Sequence, residues 1–119
     1  CVGASPEEID KVMKEIGLGF CLDFGHALCY AAWARKPWAG VIADFLKLKP
    51  IVFHLSDGDV DSLKDAHEHL GTGNYDLGMM IRMIPADSCV ALETNHDSRE
   101  HLDDFQRDVA YFRRMRNGC

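Results

Sequence analysis

The chain has 119 residues, with 13 Lys and Arg against 19 Asp and Glu, a formal net charge of −6. Hydrophobic residues make up 47% and charged residues 27%, a globular composition that excludes a disordered tail. No apolar run approaches the roughly 20 residues of a membrane span, and a pI of about 5.4 provides no global basic field for nucleic acid.

The chain begins at Cys1 rather than Met and shows no secretory signal, so it is expected to be a portion of something longer. Its five cysteines, Cys1, Cys21, Cys29, Cys89 and Cys119, form no Cys-x-x-Cys pair. Their odd number argues against a closed disulfide framework and for a reducing, cytoplasmic setting. Cys21 and Cys89 lie in apolar runs and are expected to be buried as small hydrophobes.

Ser5-Pro6-Glu7-Glu8 opens the first helix, with Ser as N-cap, Pro in the first turn and acids favoured by the dipole. Ile9, Val12, Met13 and Ile16 form its apolar stripe, and Gly17 stops it. A strand is expected over Leu18 to Asp23. A helix follows Pro37, burying Val41, Ile42, Phe45, Leu46 and Leu48, and a second strand spans Ile51 to Ser56. Asp57 to Asn74 reads as a polar loop ending in Gly71-Thr72-Gly73. A helix from about Tyr75 to Ile84 is closed by Pro85, and a third strand covers Cys89 to Glu93. Leu102, Phe105, Val109 and Phe112 then recur at helical spacing. Strands alternating with helices argue for an α/β fold with a parallel sheet and crossover helices.

Each strand pairs a bulky face with a small one. Leu18, Phe20 and Leu22 oppose Gly19, Cys21 and Asp23; Ile51, Phe53 and Leu55 oppose Val52 and His54; Val90 and Leu92 oppose Cys89, Ala91 and Glu93. Bulky faces suit helices. Small residues tipped by a polar group suit the interior of a closed barrel, whose active site lies at the strand C-termini. The reading is three consecutive units of a (β/α)8 TIM barrel, the whole of 1–119 being a partial barrel domain whose N-terminal strands are absent. A missing barrel half or an oligomer partner is expected to cover the open sheet.

Asp23, His54 and Glu93 are expected in one register at three neighbouring strand ends, and mixed carboxylate and imidazole donors suit Zn, Mn, Mg or Co. His26 follows Asp23 through Gly25, which is expected to bend a turn so that the imidazole returns over the strand mouth. Asp65 and His67, spaced i and i+2 in a loop, offer two more ligands. Asp57-Gly58-Asp59-Val60-Asp61 lacks the glycine placement of an EF-hand and reads as a solvated turn. Gly71-Thr72-Gly73-Asn74 precedes a helix and offers either an anion cradle or a plain turn. Arg113-Arg114-Met115-Arg116 reads as a solvated helix end.

Leu22-Asp23-Phe24-Gly25-His26-Ala27, Phe53-His54-Leu55-Ser56-Asp57, Asp65-Ala66-His67, Leu70-Gly71-Thr72-Gly73 and Leu92-Glu93, in this order, resemble the C-terminal part of the xylose-isomerase-like TIM barrels. That superfamily includes sugar and sugar-phosphate isomerases and epimerases and the endonuclease IV group. The resemblance implies a barrel's last three β/α units and a divalent metal held by Asp23, His54 and Glu93. A fourth ligand, a Glu from an earlier strand, has no counterpart here, so the fragment alone is expected to be inactive. It further implies that Glu93 is also a catalytic carboxylate and that His26 contacts substrate. The leading expectation is an isomerase or epimerase that removes a proton alpha to a carbonyl in a small sugar or hydroxy-carbonyl substrate. One alternative is an endonuclease acting on abasic DNA, with His26, Asp65 and His67 as additional zinc ligands. Another is a barrel remnant without chemistry.

Overall fold

A computed structural model describes residues 5–118, so Cys1 and Cys119 lie outside the described residues. The elements are α1 (Pro6–Ile16), β1 (Cys21–Asp23), α2 (Phe24–Ala34), α3 (Trp38–Leu46), β2 (Val52–Leu55), α4 (Leu77–Met83), β3 (Cys89–Leu92) and α5 (Asp103–Arg116). The N-cap of α1 forms as expected: Ser5 Oγ accepts the Glu8 N–H at 3.2 Å while the Glu8 carboxylate accepts the Ser5 N–H at 3.3 Å. Gly17 ends the helix in the left-handed conformation.

The strands are shorter than expected, β1 starting at Cys21 rather than Leu18 and β2 at Val52, so that Leu18 and Ile51 of the bulky faces are exposed; two helices also differ. The segment after Asp23 is no turn but the helix α2, whose Phe24, Gly25, Ala27, Leu28 and Ala31 are buried. It packs against α3, so two helices rather than one carry the chain from β1 to β2. Nearly all of its residues are apolar, so it lacks the polar face that marks a helix lying at a surface. The other difference is α4, which starts at Leu77 rather than Tyr75, because Asp76 caps it by accepting the Met79 N–H at 2.9 Å.

The three strands form one parallel sheet in the order β1-β2-β3. Leu22, Phe53 and Leu55 point to the helices and are no more than 2% exposed. They meet Phe24, Leu28, Ile42, Phe45, Met80 and Ile81 in one core. The opposite face behaves differently. Cys21 and Cys89, expected to be buried, are exposed, because that face of the sheet carries no helix layer. Among the described residues, the cysteines are free and no helix is long and apolar enough to cross a membrane.

Candidate metal centre

Asp23 stands where β1 becomes α2, and its two oxygens divide the work. Oδ1 accepts the His26 N–H at 3.1 Å as the N-cap of α2. Oδ2 is left to face His26 Nδ1 at 3.4 Å and His54 Nδ1 at 3.7 Å. Glu93 Oε1 lies 3.1 Å from the same His54 nitrogen. Asp23, His54 and Glu93 thus present donor atoms within 4.8 Å of one another at the C-terminal end of the sheet.

The three are not in one register, however. Asp23 pairs with His54, and the partner of His54 on β3 is Ala91. Glu93 lies two residues farther along, on the same face because the side-chain period is two. Such a stagger accompanies the tilt of strands in a barrel. The longer Glu side chain then reaches back to His54.

A second group lies beside the first. His26, Asp65 and His67 also present donor atoms within 4.8 Å of one another. Asp65 Oδ2 is 3.8 Å from His26 Nε2 and 3.7 Å from His67 Nε2. Gly25 has a purpose other than a bend: it sits in the first turn of α2, where a Cβ would collide with the Asp65 carboxylate. His67 Nδ1 donates to the Glu93 carbonyl oxygen at 2.8 Å, which leaves Nε2 of the neutral ring with its lone pair toward Asp65. Glu93 therefore serves both groups, its carboxylate facing His54 and its backbone holding His67.

The loop carrying Asp65 and His67 is held by two carboxylates that the sequence pattern did not reveal. Asp57, expected in a solvated turn, is 1% exposed. Its Oδ1 accepts from the N–H groups of Gly58 and Tyr75, and its Oδ2 from those of Gly71 and Gly73, at 2.8–3.2 Å. The Gly71 and Gly73 amides thus already hold an anion, the protein's own Asp57. Asp108, also buried, accepts from the Leu70 N–H at 2.9 Å, from Thr94 Oγ1 at 2.5 Å and from His69 Nδ1 at 2.7 Å. The Asp108 hydrogen bond raises the His69 pKa above the ordinary imidazole value, against the opposing effect of burial.

The basic cluster is also less free than expected. Arg116 donates to the carbonyls of Pro85 and Ala86 at 2.9 and 2.6 Å, and Arg114 lies over the Tyr111 ring. These contacts tie α5 to the turn after α4 and to its own aromatic face.

The donor chemistry of the two groups fits divalent ions. Three carboxylates and three imidazoles converge, and among the described residues no Lys or Arg is paired with Asp23, Asp65 or Glu93. Asp65 Oδ2 is buried and has no hydrogen-bond partner. A buried, ionised oxygen without a donor is unfavourable unless a cation completes it. Nitrogen and oxygen donors of this mix suit zinc and other first-row divalent ions.

Residues 1–115 match the family described as Xylose isomerase-like TIM barrel, and the chain belongs to that family. Among curated proteins it is similar to "Probable endonuclease 4" from Mycobacterium leprae, strains Br4923 and TN. Each is 30% identical over 115 residues, covering 90% of this chain. The chain spans 40% of the length of these relatives. No solved structure matches it.

Proposed function

We propose that this member of the xylose isomerase-like TIM barrel family supplies the last three β/α units of an eight-stranded barrel enzyme. On this reading the enzyme hydrolyses phosphodiesters, as the name "Probable endonuclease 4" of its relatives suggests, and its use of divalent metal on abasic DNA follows the family resemblance. One observation carries the choice. The His26–Asp65–His67 group closes around a buried carboxylate oxygen that has no partner, immediately beside Asp23–His54–Glu93. A single-ion isomerase would leave Asp65 and His67 to shape the loop, and a shaping carboxylate would be hydrogen-bonded as Asp57 is.

In this assignment Asp23, His54 and Glu93 hold one ion and His26, Asp65 and His67 another, with further ligands coming from the remainder of the barrel. Bound there, the ions would offset phosphate charge and make a water acidic enough to attack near neutral pH. The chain's own groups do the rest. Asp65, with its side chain 6% exposed, and Asp23, at 16%, face inward beside the imidazoles. Glu93, at 41%, is the carboxylate open to an incoming substrate, and its Oε atoms are placed to accept a proton there.

That same openness of Glu93 favours a second reading. A carboxylate at the mouth of the Asp23–His54 pair is placed equally well to take a proton alpha to the carbonyl of a small sugar. Metal stoichiometry of the intact protein, with assays on abasic duplex DNA and on a panel of ketoses, separates the two. At least two zinc ions with strand cleavage is the expected result; about one ion with epimer or aldose–ketose interconversion would overturn it.

A further inference from the structure

The His26–Asp65–His67 group depends on a backbone conformation that residues with side chains seldom adopt. His67 has φ of 50°, in the left-handed region that favours glycine. A side chain held there must be fixed by its surroundings. On one side the His67 N–H donates to Asp65 Oδ1 at 3.2 Å. On the far side Glu68 exchanges backbone hydrogen bonds with Asp57 at 2.9 and 3.0 Å, and the anchors of Ala66 and His67 themselves come from Glu93 and Asn95, just after β3. The Glu93 carbonyl accepts from His67 Nδ1 at 2.8 Å, the Asn95 N–H donates to the His67 carbonyl at 2.8 Å, and Asn95 Nδ2 donates to the Ala66 carbonyl at 3.0 Å.

Asn95 thus grips the carbonyls of two successive residues, one of which is the ligand itself. Its side chain is exposed and takes no part in the core, so packing gives no reason for an amide at this position. Its donors point at the backbone rather than at the donor atoms of either group. Its effect must therefore run through the orientation of His67.

We propose that Asn95 is a positioning residue for the His26–Asp65–His67 site, clamping the Ala66–His67 backbone so that His67 Nε2 stays aimed at Asp65. The inference rests on reading both groups as ion sites. Because Glu93 and Asn95 flank a single residue, the segment that sets Glu93 against His54 also sets His67 against Asp65. The two sites share a support in the segment just after β3.

The test is a Zn²⁺ titration of the intact, chelator-stripped protein, as wild type and as Asn95→Ala, with His67→Ala and His54→Ala marking which site is which. Outer-sphere partners of metal ligands are worth 10–100-fold in affinity. Since the backbone hydrogen bond of Asn95 survives the substitution, the expected loss is about tenfold at the His67-dependent site, with the His54-dependent site unchanged. Two readouts on the metal-free protein complete the test. The His67 Nδ1–H resonance, protected in the wild type by the Glu93 carbonyl, should broaden in Asn95→Ala, and the melting temperature should stay the same. A His67-dependent site of unaltered affinity in Asn95→Ala would overturn this inference alone. Absence of any His67-dependent zinc in the wild type would overturn it together with the two-site reading. Equal weakening of both sites, or a lower metal-free melting temperature, would make Asn95 a general structural residue and overturn it as well.

Discussion

Asp57 and Asp65 belong to one loop and are both withheld from water, yet the chain surrounds them in opposite ways. Asp57 collects four backbone N–H groups, two on each oxygen. Asp65 spends Oδ1 on the His67 N–H and leaves Oδ2 buried with no donor at all, facing two histidine nitrogens at 3.7 and 3.8 Å. A carboxylate bonded to backbone amides stabilises a fold, whereas one lacking donors burdens it until a cation arrives. The difference separates the residue that builds the loop from the residue the loop is built to present.

The largest effect should come from removing the builder. Asp57→Ala deletes four charge-assisted hydrogen bonds and strands the N–H groups of Gly58, Gly71, Gly73 and Tyr75 at a buried point. Hydrogen bonds to charged groups contribute about 1.5–3 kcal/mol each, but they are not additive and water will replace some of them. A loss of about 4 kcal/mol is expected in urea unfolding of the metal-free intact protein. A loss under about 1 kcal/mol would break the contrast, because Asp57 would then be no better bound than Asp65.

A smaller effect should follow from crowding the presented residue. In Gly25→Ala the new Cβ meets the Asp65 carboxylate from the first turn of α2. Ala gains about 1 kcal/mol over Gly in helix propensity, while overpacking a filled site costs about 1–3 kcal/mol. A net loss of about 0–2 kcal/mol is expected, accompanied by loss of zinc from the His26–Asp65–His67 site and retention at Asp23–His54–Glu93. Retention of both sites would mean that Asp65 has room to retreat and is not held in place by Gly25.

The contrast between these carboxylates shows what the sequence could reveal and what it could not. The strand faces were legible because alternation has a fixed period: Leu22, Phe53 and Leu55 lie against the helices, and Asp23, His54 and Glu93 share the other side. Parallel pairing followed from the alternation of elements. The register of Glu93 was not legible, since stagger between strands is set by pairing rather than by pattern. Nor was α2, because nearly all its residues are apolar, the exposed Trp33 included, and leave no polar stripe to set its period. The loop was the hardest part. Asp57, Asp59, Asp61 and Asp65 look alike in sequence, and only the fold brings Gly71 and Gly73 to the first and His26 and His67 to the last. The Glu93 carbonyl that orients His67 has no side-chain signature at all.

Asp65→Asn gives the smallest change in stability and the sharpest test. In the metal-free protein the substitution removes an ionised oxygen that has no donor and keeps an oxygen for the His67 N–H. The new amide can donate toward a histidine nitrogen already within 4 Å. Stability should therefore hold or rise by up to about 1 kcal/mol, the reverse of the usual result for a buried polar residue. Zinc should invert the order. At a hundredfold excess over Kd a bound ion stabilises the native state by about 2.7 kcal/mol, and the wild type should gain this at the second site while the amide variant does not. The two unfolding curves should therefore exchange places when zinc replaces chelator. Asp57→Asn provides the counterpart, since its four amide donors are the same with and without metal; it should lie below the wild type in both conditions. If Asp65→Asn is destabilised in chelator, Asp65 contributes to the apo fold as Asp57 does, and the division between builder and presented ligand fails at its central residue.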